Sequence, residues 1–242
     1  MRIIVATSNL HKLQEIREIF EACAAEDGLP APDLATLDMA GVRGPEPTED
    51  ADTFEGNAAL KARHYASTGH VACLADDSGL EVDALGGQPG VLSARYSGET
   101  GPRREVDLAN NATLMHRLGD IPAEQRTARF VCVMALAMPD EPALVEAGPA
   151  GDAEPGPRIV ASVRGTVEGR IITAAEADDP AQLERGRGDQ GFGYDPLFFV
   201  PELGKTTAEI SPEAKNRISH RGHAARAMFR DLRRLWTAPS AE

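Results

Sequence analysis

The sequence predicts an α/β protein, and three observations carry that prediction. An apolar run at Arg2–Ala6 reads as a buried strand and passes through a short polar turn into a helix over His11–Cys23. Two further apolar runs, Val71–Ala75 and Ala128–Met138, have the composition of buried strands. Helical stretches alternate with them, one following Thr53 and one over Arg103–Leu118. The chain has 242 residues and no internal repeat, so one domain over 1–236 is expected, with Thr237–Glu242 as a frayed tail.

Each element has a local cause. The first helix carries an apolar stripe of Leu13, Ile16, Phe20 and Cys23 at three- and four-residue steps. Residues 26–52 are rich in Pro, Gly and acids, which predicts a loop with a short strand near Leu34–Leu37. Thr53 is placed to cap a helix running to about Ser67. The Val71–Ala75 strand is expected to end at Asp76-Asp77-Ser78-Gly79, and Gly86–Gly90 to form a turn-rich loop. Arg103–Leu118 should turn Val106, Ala109, Leu114 and Leu118 inward and stop at Gly119. Residues 139–157 suggest a hairpin with a mobile tip, Ile159–Val163 and Val167–Ile172 two strands, and residues 174–190 a flexible acidic, glycine-rich insertion. Ser211-Pro212-Glu213 is a strong helix start. The last helix, about Ser219–Trp236, should bury Ala225, Met228, Leu232 and Leu235.

Composition narrows the function classes. A formal charge of −13 disfavours nucleic acid and anionic lipid as partners, since both require a basic surface; that charge also outweighs the short Arg185-Gly186-Arg187-Gly188 stretch. An anionic ligand would need a locally positive pocket. The opening apolar run is too short for a signal peptide, and no stretch approaches the ~20 apolar residues of a membrane span, so a cytoplasmic location is the expectation. Cys23, Cys73 and Cys132 are widely spaced and odd in number, as expected of buried reduced thiols.

Four segments carry candidate chemistry. Thr7-Ser8-Asn9-Leu10-His11-Lys12 joins strand to helix, where backbone N–H groups, hydroxyls and the Lys12 charge suit an anion; ordinary capping by Ser8 or Asn9 fits equally. Asp76 and Asp77 are adjacent, so on extended backbone they point to opposite faces, and one can serve a metal-bearing polyphosphate while the other anchors the loop. A second carboxylate is available from the Glu49-Asp50 stretch; the alternative for the aspartates is a capped Asp-Ser-Gly turn. Gly191-Phe192-Gly193-Tyr194-Asp195-Pro196 combines close backbone approach with rings that either stack on a nucleobase or fill the core. Lys215 and His220-Arg221 offer donors for a carbonyl or phosphate, or form a solvated helix end.

The order of these segments is more specific than any one of them. Ala6–Lys12, Thr53-Phe54-Glu55 with Asn57-Ala58, Ala75–Leu80, Leu85-Gly86-Gly87 with Pro89-Gly90-Val91, Ser93–Gly98, Gly191–Pro196 and Ser219–Gly222 together resemble the inosine triphosphate pyrophosphatase family, on its bacterial branch acting on dITP and XTP. The similarity runs from Arg2 to about Leu235. It implies an elongated two-lobed α/β fold on a long mixed β-sheet with flanking helices, a nucleotide cleft between the lobes, a homodimer, and Mg2+-dependent hydrolysis of ITP, dITP and XTP to the monophosphate and pyrophosphate. Carried over by motif, Thr7, Ser8, Asn9, Leu10, His11 and Lys12 would hold the triphosphate, Asp77 would be general base and metal ligand, and Glu49 a second metal ligand. Ser78 would touch substrate, and Phe192, Gly193, Tyr194, Asp195, Lys215, His220 and Arg221 would surround base and sugar.

Three departures from the family pattern stand out. Ser8 replaces a usual glycine; Thr48-Glu49-Asp50-Ala51-Asp52 lacks the usual glutamate pair, leaving Glu46 and Asp50 as alternatives to Glu49; and residues 174–190 replace a short link. A pyrophosphatase for modified pyrimidine nucleotides would share the phosphate-binding segments and differ at the base. A non-catalytic nucleotide-binding protein would keep the ligand and lack turnover, but the intact Asp76–Gly79 segment argues against it.

Overall fold

The computed structural model describes residues 2–7, 10–139 and 156–237, with the side chains of His11 and Thr237 outside that set. Strands β1 (Arg2–Val5), β2 (Asp33–Thr36), β3 (Cys73–Val82), β4 (Thr127–Met138), β5 (Arg158–Ile171), β6 (Phe198–Val200) and β7 (Lys205–Thr206) form one sheet in the order β2-β1-β3-β4-β5-β6-β7. The sheet is mixed: β1 runs parallel to β2 and β3, whereas the β5–β6 and β6–β7 pairs are antiparallel. Among the described residues the α-helices flanking it are α1 (Leu10–Asp27), α2 (Phe54–Gly69), α3 (Arg103–Leu118), α4 (Pro212–Ile218) and α5 (His220–Thr237). The expected α/β class with a mixed sheet and flanking helices is what the chain adopts.

The chain divides into two compact units. The first comprises Met1–Asp77, Val133–Arg164 and Ala224–Glu242. After the exposed Arg2 its strand β1 is apolar, with Ile3, Ile4 and Val5 all buried, as a parallel strand covered on both faces requires. Helix α1 buries Leu13, Ile16, Phe20 and Ala24, and Phe20 meets Phe229 of α5 edge-on at 5.7 Å. Helix α2 starts where Thr53 Oγ1 accepts from Gly56 N (3.1 Å) and lays a stripe of Ala58, Ala62 and Ala66 inward. From α5 the same unit buries Ala225, Met228, Phe229 and Leu232. Leu235, expected inside, is 47% exposed.

The second unit comprises Ser78–Cys132 and Gly165–His223. Its core joins Leu80 and Val82, Leu114 and Leu118 from α3, Phe130, Ile171, Tyr194 and Phe198. Helix α3 ends as expected at Gly119, whose φ of 46° suits glycine and whose N–H reaches Met115 O. Ala109, predicted to face inward, is only half-buried; Asn110 and Asn111 hold the buried positions beside it. Helix α4 begins on the Ser211 cap with Pro212 in its first turn.

Four other expectations change. Strand β3 does not stop at Ala75 but continues through Asp76-Asp77-Ser78-Gly79, because the sheet pairs its backbone and the two aspartates find lysine partners without a turn. The two strands expected over residues 159–172 are one continuous β5, with Arg164-Gly165-Thr166 kept extended. Cys73 and Cys132 are buried as expected and Cys23 is only half-buried; none forms a disulfide, and burial pushes the Cys73 thiol up to about 12. Residues 174–190 are tied down rather than loose. Arg187 N donates to Pro196 O, Gln190 N to Ala208 O and Asp178 N to Gly186 O. A Cβ on Gly188, which has φ +81°, would lie 2.4 Å from Ala208 O, so this close backbone approach needs glycine. Most of the expected 139–157 hairpin, and residues 238–242 of the expected tail, lie outside the described residues. Among the described residues no helix is long and apolar enough to cross a membrane.

The start of that tied segment yields a pH prediction. Glu176 closes a capping box with Thr173 and takes Nη1 of Arg170 at 2.9 Å, and Arg170 also covers the Phe199 ring at 4.4 Å. The Arg170 hydrogen bonds, outweighing burial, hold the Glu176 carboxyl down at about 2 against its ordinary 4.5. A depressed carboxyl contributes stability that is complete above the unfolded value and lost as pH falls toward the folded one. Glu176→Gln should therefore cost about 1–2 kcal/mol in urea unfolding at pH 7 and less than half of that at pH 3. An equal cost at both pH values would remove the ion pair from the account.

Candidate active site

In the first unit the strand carries two adjacent aspartates whose alternation sends them to different partners. Asp76 Oδ2 takes Lys12 Nζ at 3.0 Å, from the first turn of α1. Asp77 Oδ1 takes Lys61 Nζ and its Oδ2 takes Asn57 Nδ2, at 3.3 and 3.2 Å. Asn57 and Lys61 lie four residues apart on α2 and so share a face. Lys61 Nζ also stands 3.3 Å from Glu49 Oε1, and Asn57 Oδ1 accepts from Ala51 N at 3.0 Å. The acidic loop is thus fastened to Asp77 through α2. Of the three carboxylates weighed from sequence, Glu49 is the one that shares the Lys61 ammonium with Asp77.

Sequence reasoning missed Lys61 and the aligning role of Asn57. The signal was present: in a chain with four lysines, one sits four residues after an asparagine on the alanine-rich face of a well-capped helix. Of the Thr7–Lys12 segment, Lys12 makes the Asp76 contact, Thr7 is half-buried and Leu10 is exposed. Ser8, Asn9 and the side chain of His11 lie outside the described residues.

Burial sets the electrostatics. It pushes the Asp77 carboxyl above the ordinary range, aided by Glu49 and opposed by Lys61 and Asn57. Burial alone would depress Lys61, but Asp77, Asp76 and Glu49 together hold its ammonium above the usual value. Asp76, Asp77 and Glu49 thus gather around the ammoniums of Lys12 and Lys61. Asp77 and Glu49 already direct oxygens at one cationic group, and hard carboxylate oxygens are the donors Mg2+ prefers. Among the described residues no three His, Cys, Asp or Glu side chains converge on a self-sufficient cage. A pair of carboxylates suits a cation that also takes phosphate oxygens and water.

In the second unit, residues 191–196 turn tightly before β6. Gly191 has φ +79°, and a Cβ there would lie 2.1 Å from Asp195 Oδ2, so the loop requires glycine at this point. Asp195, expected to present a hydrogen-bond acceptor, is buried and occupied: it accepts from Phe192 N (2.8 Å), Thr207 Oγ1 (2.9 Å) and Lys215 Nζ (2.6 Å). It fixes Lys215, whose Nζ lies 5.2 Å from the Phe192 ring centroid. Phe192 remains half-buried. Tyr194 is turned into the core, 5% exposed, with its hydroxyl donating to Ser93 O at 2.9 Å; burial pushes its phenol well above the ordinary range. Of the two rings, therefore, the core-filling reading holds for Tyr194. His220 and Arg221 are buried rather than a solvated helix end, and His220 stacks on Phe130 at 5.0 Å. Ser78 directly follows Asp77 on β3 and is half-buried.

The model of the Ham1 family matches residues 3–231. The chain belongs to the Ham1 family. A relative from Geobacter sulfurreducens named dITP/XTP pyrophosphatase is 45% identical over 230 residues, covering 95% of this chain and 95% of the relative. One from Exiguobacterium sibiricum with the same name is 42% identical over 228 residues, covering 94% and 95%. The solved structure of a HAM1 protein from Coxiella burnetii superposes with a TM-score of 0.72 at 33% identity, over 96% of this chain and 98% of that one. These matches agree with the family that the ordered motifs suggested, and they give the Ham1 chain its fold over nearly its whole length.

The buried pair in this Ham1 chain is open to a stability test. Lys61→Met strands two carboxylates around a lost ammonium and should cost about 3 kcal/mol, since removing one partner of a buried ion pair leaves the other uncompensated. Asp77→Asn in the same background should restore roughly 1–3 kcal/mol, a coupling that denaturant unfolding of both single variants and the double variant measures. Strict additivity would mean that the two groups do not act as a pair.

Proposed function

We propose that the chain hydrolyses non-standard purine nucleoside triphosphates (ITP, dITP and XTP) to the monophosphate and pyrophosphate. The observation that carries the reading is the placement of Asp77: buried on β3, raised in basicity, and oriented by Lys61 and Asn57 beside Glu49. Family membership and the names of the relatives support the same reaction. The whole of residues 1–236 is taken as one functional domain.

Asp77 acts as general base, accepting a proton from a water whose oxygen attacks the α-phosphorus, while the bond from that phosphorus to the leaving pyrophosphate breaks. Lys61 supports this role twice: its ammonium keeps a buried carboxylate ionised, and its contact fixes the direction of Oδ1. Lys12, at the start of α1, neutralises triphosphate charge together with the helix N-terminus, and Thr7, Ser8, Asn9, Leu10 and His11 supply backbone and side-chain donors there. Glu49 and Asp77 would hold Mg2+, which when bound supplies Lewis-acid stabilisation of charge on the phosphoryl oxygens. Ser78 meets the substrate next to the base.

For the nucleobase, the half-buried Phe192 supplies a stacking face and Lys215 a donor fixed by Asp195. His220 and Arg221 supply further donors for the 6-carbonyl of hypoxanthine or xanthine. Opposite the 6-amine of adenine such donors would face another donor, and unmet polar groups discriminate strongly. Mg2+ as cofactor, a homodimer as assembly and the cytoplasm as location complete the reading, supported by the family resemblance.

The experiment that tests this function is pyrophosphate release from ITP, dITP, XTP, GTP, ATP and dUTP at saturating Mg2+. The expected result is a kcat/KM for ITP, dITP and XTP at least about 100-fold above that for ATP, the range a site built around hydrogen bonds can reach. Comparable turnover of dUTP would transfer the function to modified pyrimidines, and release of orthophosphate in place of pyrophosphate would overturn the mechanism.

A further inference from the structure

Helix α3 grips the glycine-aromatic loop from outside the set of residues assigned to substrate. Asp107 and Asn111 stand four residues apart on α3, on one face of the helix. Asp107 Oδ2 accepts from Gly193 N at 3.1 Å, and Asn111 Nδ2 donates to Gly193 O at 3.1 Å. Both backbone polar groups of Gly193 are therefore held by one helix. The second proton of the Asn111 amide reaches Glu184 O at 3.0 Å, in the 3-10 turn Leu183–Arg185 of the tied segment. One buried amide thus joins three pieces of chain. Arg103 Nε in turn steadies Asp107 at 2.9 Å.

The amide orientation is forced. Turning it over would aim Oδ1 at two carbonyl oxygens, whereas the observed orientation aims two N–H donors at them. Asn111 Oδ1 is then left buried without a hydrogen-bond partner among the described residues. Leaving a buried polar atom unmet costs free energy, so an asparagine at this position is explained by what its donors hold rather than by packing. What they hold is the middle of the loop whose neighbours, Phe192 and Asp195, set the stacking ring and fix Lys215.

We propose that Asn111, seconded by Asp107, is a positioning residue for base recognition: it fixes Gly193, and through it the Phe192 ring and the Asp195–Lys215 pair, without touching the nucleotide. This rests on the assignment of that loop to the base under the proposed function. Because the residues assigned to the phosphate and the chemical step, Lys12, Asp77 and its partner Lys61, are untouched, loosening the loop weakens nucleotide binding more than the chemical step.

The test uses Asn111→Asp in the full chain. The variant keeps the side chain's shape and replaces both donors with carboxylate oxygens facing carbonyls. Amide hydrogen exchange, resolved by peptide, should accelerate at least about tenfold over residues 183–195 and remain unchanged over β1 and α2. With ITP, KM should rise about tenfold or more while kcat stays within about threefold. Unchanged exchange over 183–195, or a fall in kcat at constant KM, would overturn the proposal. If Asn111→Asp does not fold, Asp107→Asn provides the same two readouts, with a smaller shift in the same direction, and no shift in either would equally overturn it. A wild-type enzyme without activity on ITP would fail the functional reading alone; exchange in the variant would still decide whether Asn111 holds the loop.

Discussion

Lys61 holds Asp77 and Glu49 at 3.3 Å each inside the first unit, and most of what surrounds it serves that arrangement. A carboxylate removed from water reverts to its neutral acid unless a cation or donors compensate it. Asp77 has both, the ammonium of Lys61 on one oxygen and the amide of Asn57 on the other. The two partners come from one helix face, so placing α2 correctly places both at once, and the Thr53 cap fixes where that helix begins. The acidic loop, irregular in itself, gains its position from the same side chains through Ala51 N and Glu49. The carboxylate of Asp77, its orienting amide and the neighbouring Glu49 thus depend on a single packed helix.

The features that were legible in the sequence are those decided within a turn or two of chain. The Thr53 and Ser211 caps, the Gly119 stop and the Leu13, Ile16 and Phe20 positions of the α1 stripe depend on residues close in sequence, and each stands where its pattern places it, whereas Cys23 at the end of that stripe is only half-buried. What was not legible depends on distant partners. Asp76 and Asp77 resemble the end of a strand until Lys12 and Lys61 are brought beside them, after which the strand has no reason to stop. The composition of residues 174–190 is that of a loose loop, yet their backbone donors find Pro196 and Ala208. Tyr194 and Phe192 occupy one motif, and it is distant partners, the hydrophobic core of the second unit and Ser93 O, that receive the inward-pointing tyrosine.

The candidate site follows the same division. Motif order named Asp77, Glu49, Lys12, Asp195 and Lys215, while the geometry changed what some of them do. Asp195 proves to be an anchor for Lys215 and Phe192 N rather than an open acceptor. Lys61 and Asn111 lie outside the motifs, and each stands four residues after a partner on its own helix, Asn57 and Asp107, a relation that a helical wheel exposes more readily than a motif does. Rigid support of this kind is what a site needs when its groups must be held within fractions of an ångström of their working positions.

The central claim is that the Asp77 carboxylate, held ionised in a buried site, is the base of the reaction. The most direct test is the kcat for ITP of Asp77→Asn at saturating Mg2+ and nucleotide, on protein shown to be folded by circular dichroism. The account predicts a loss of about 1000-fold or more, since the amide keeps the shape of the side chain and cannot accept the proton. A kcat within a few-fold of wild type would show that another group takes the proton and would contradict the account.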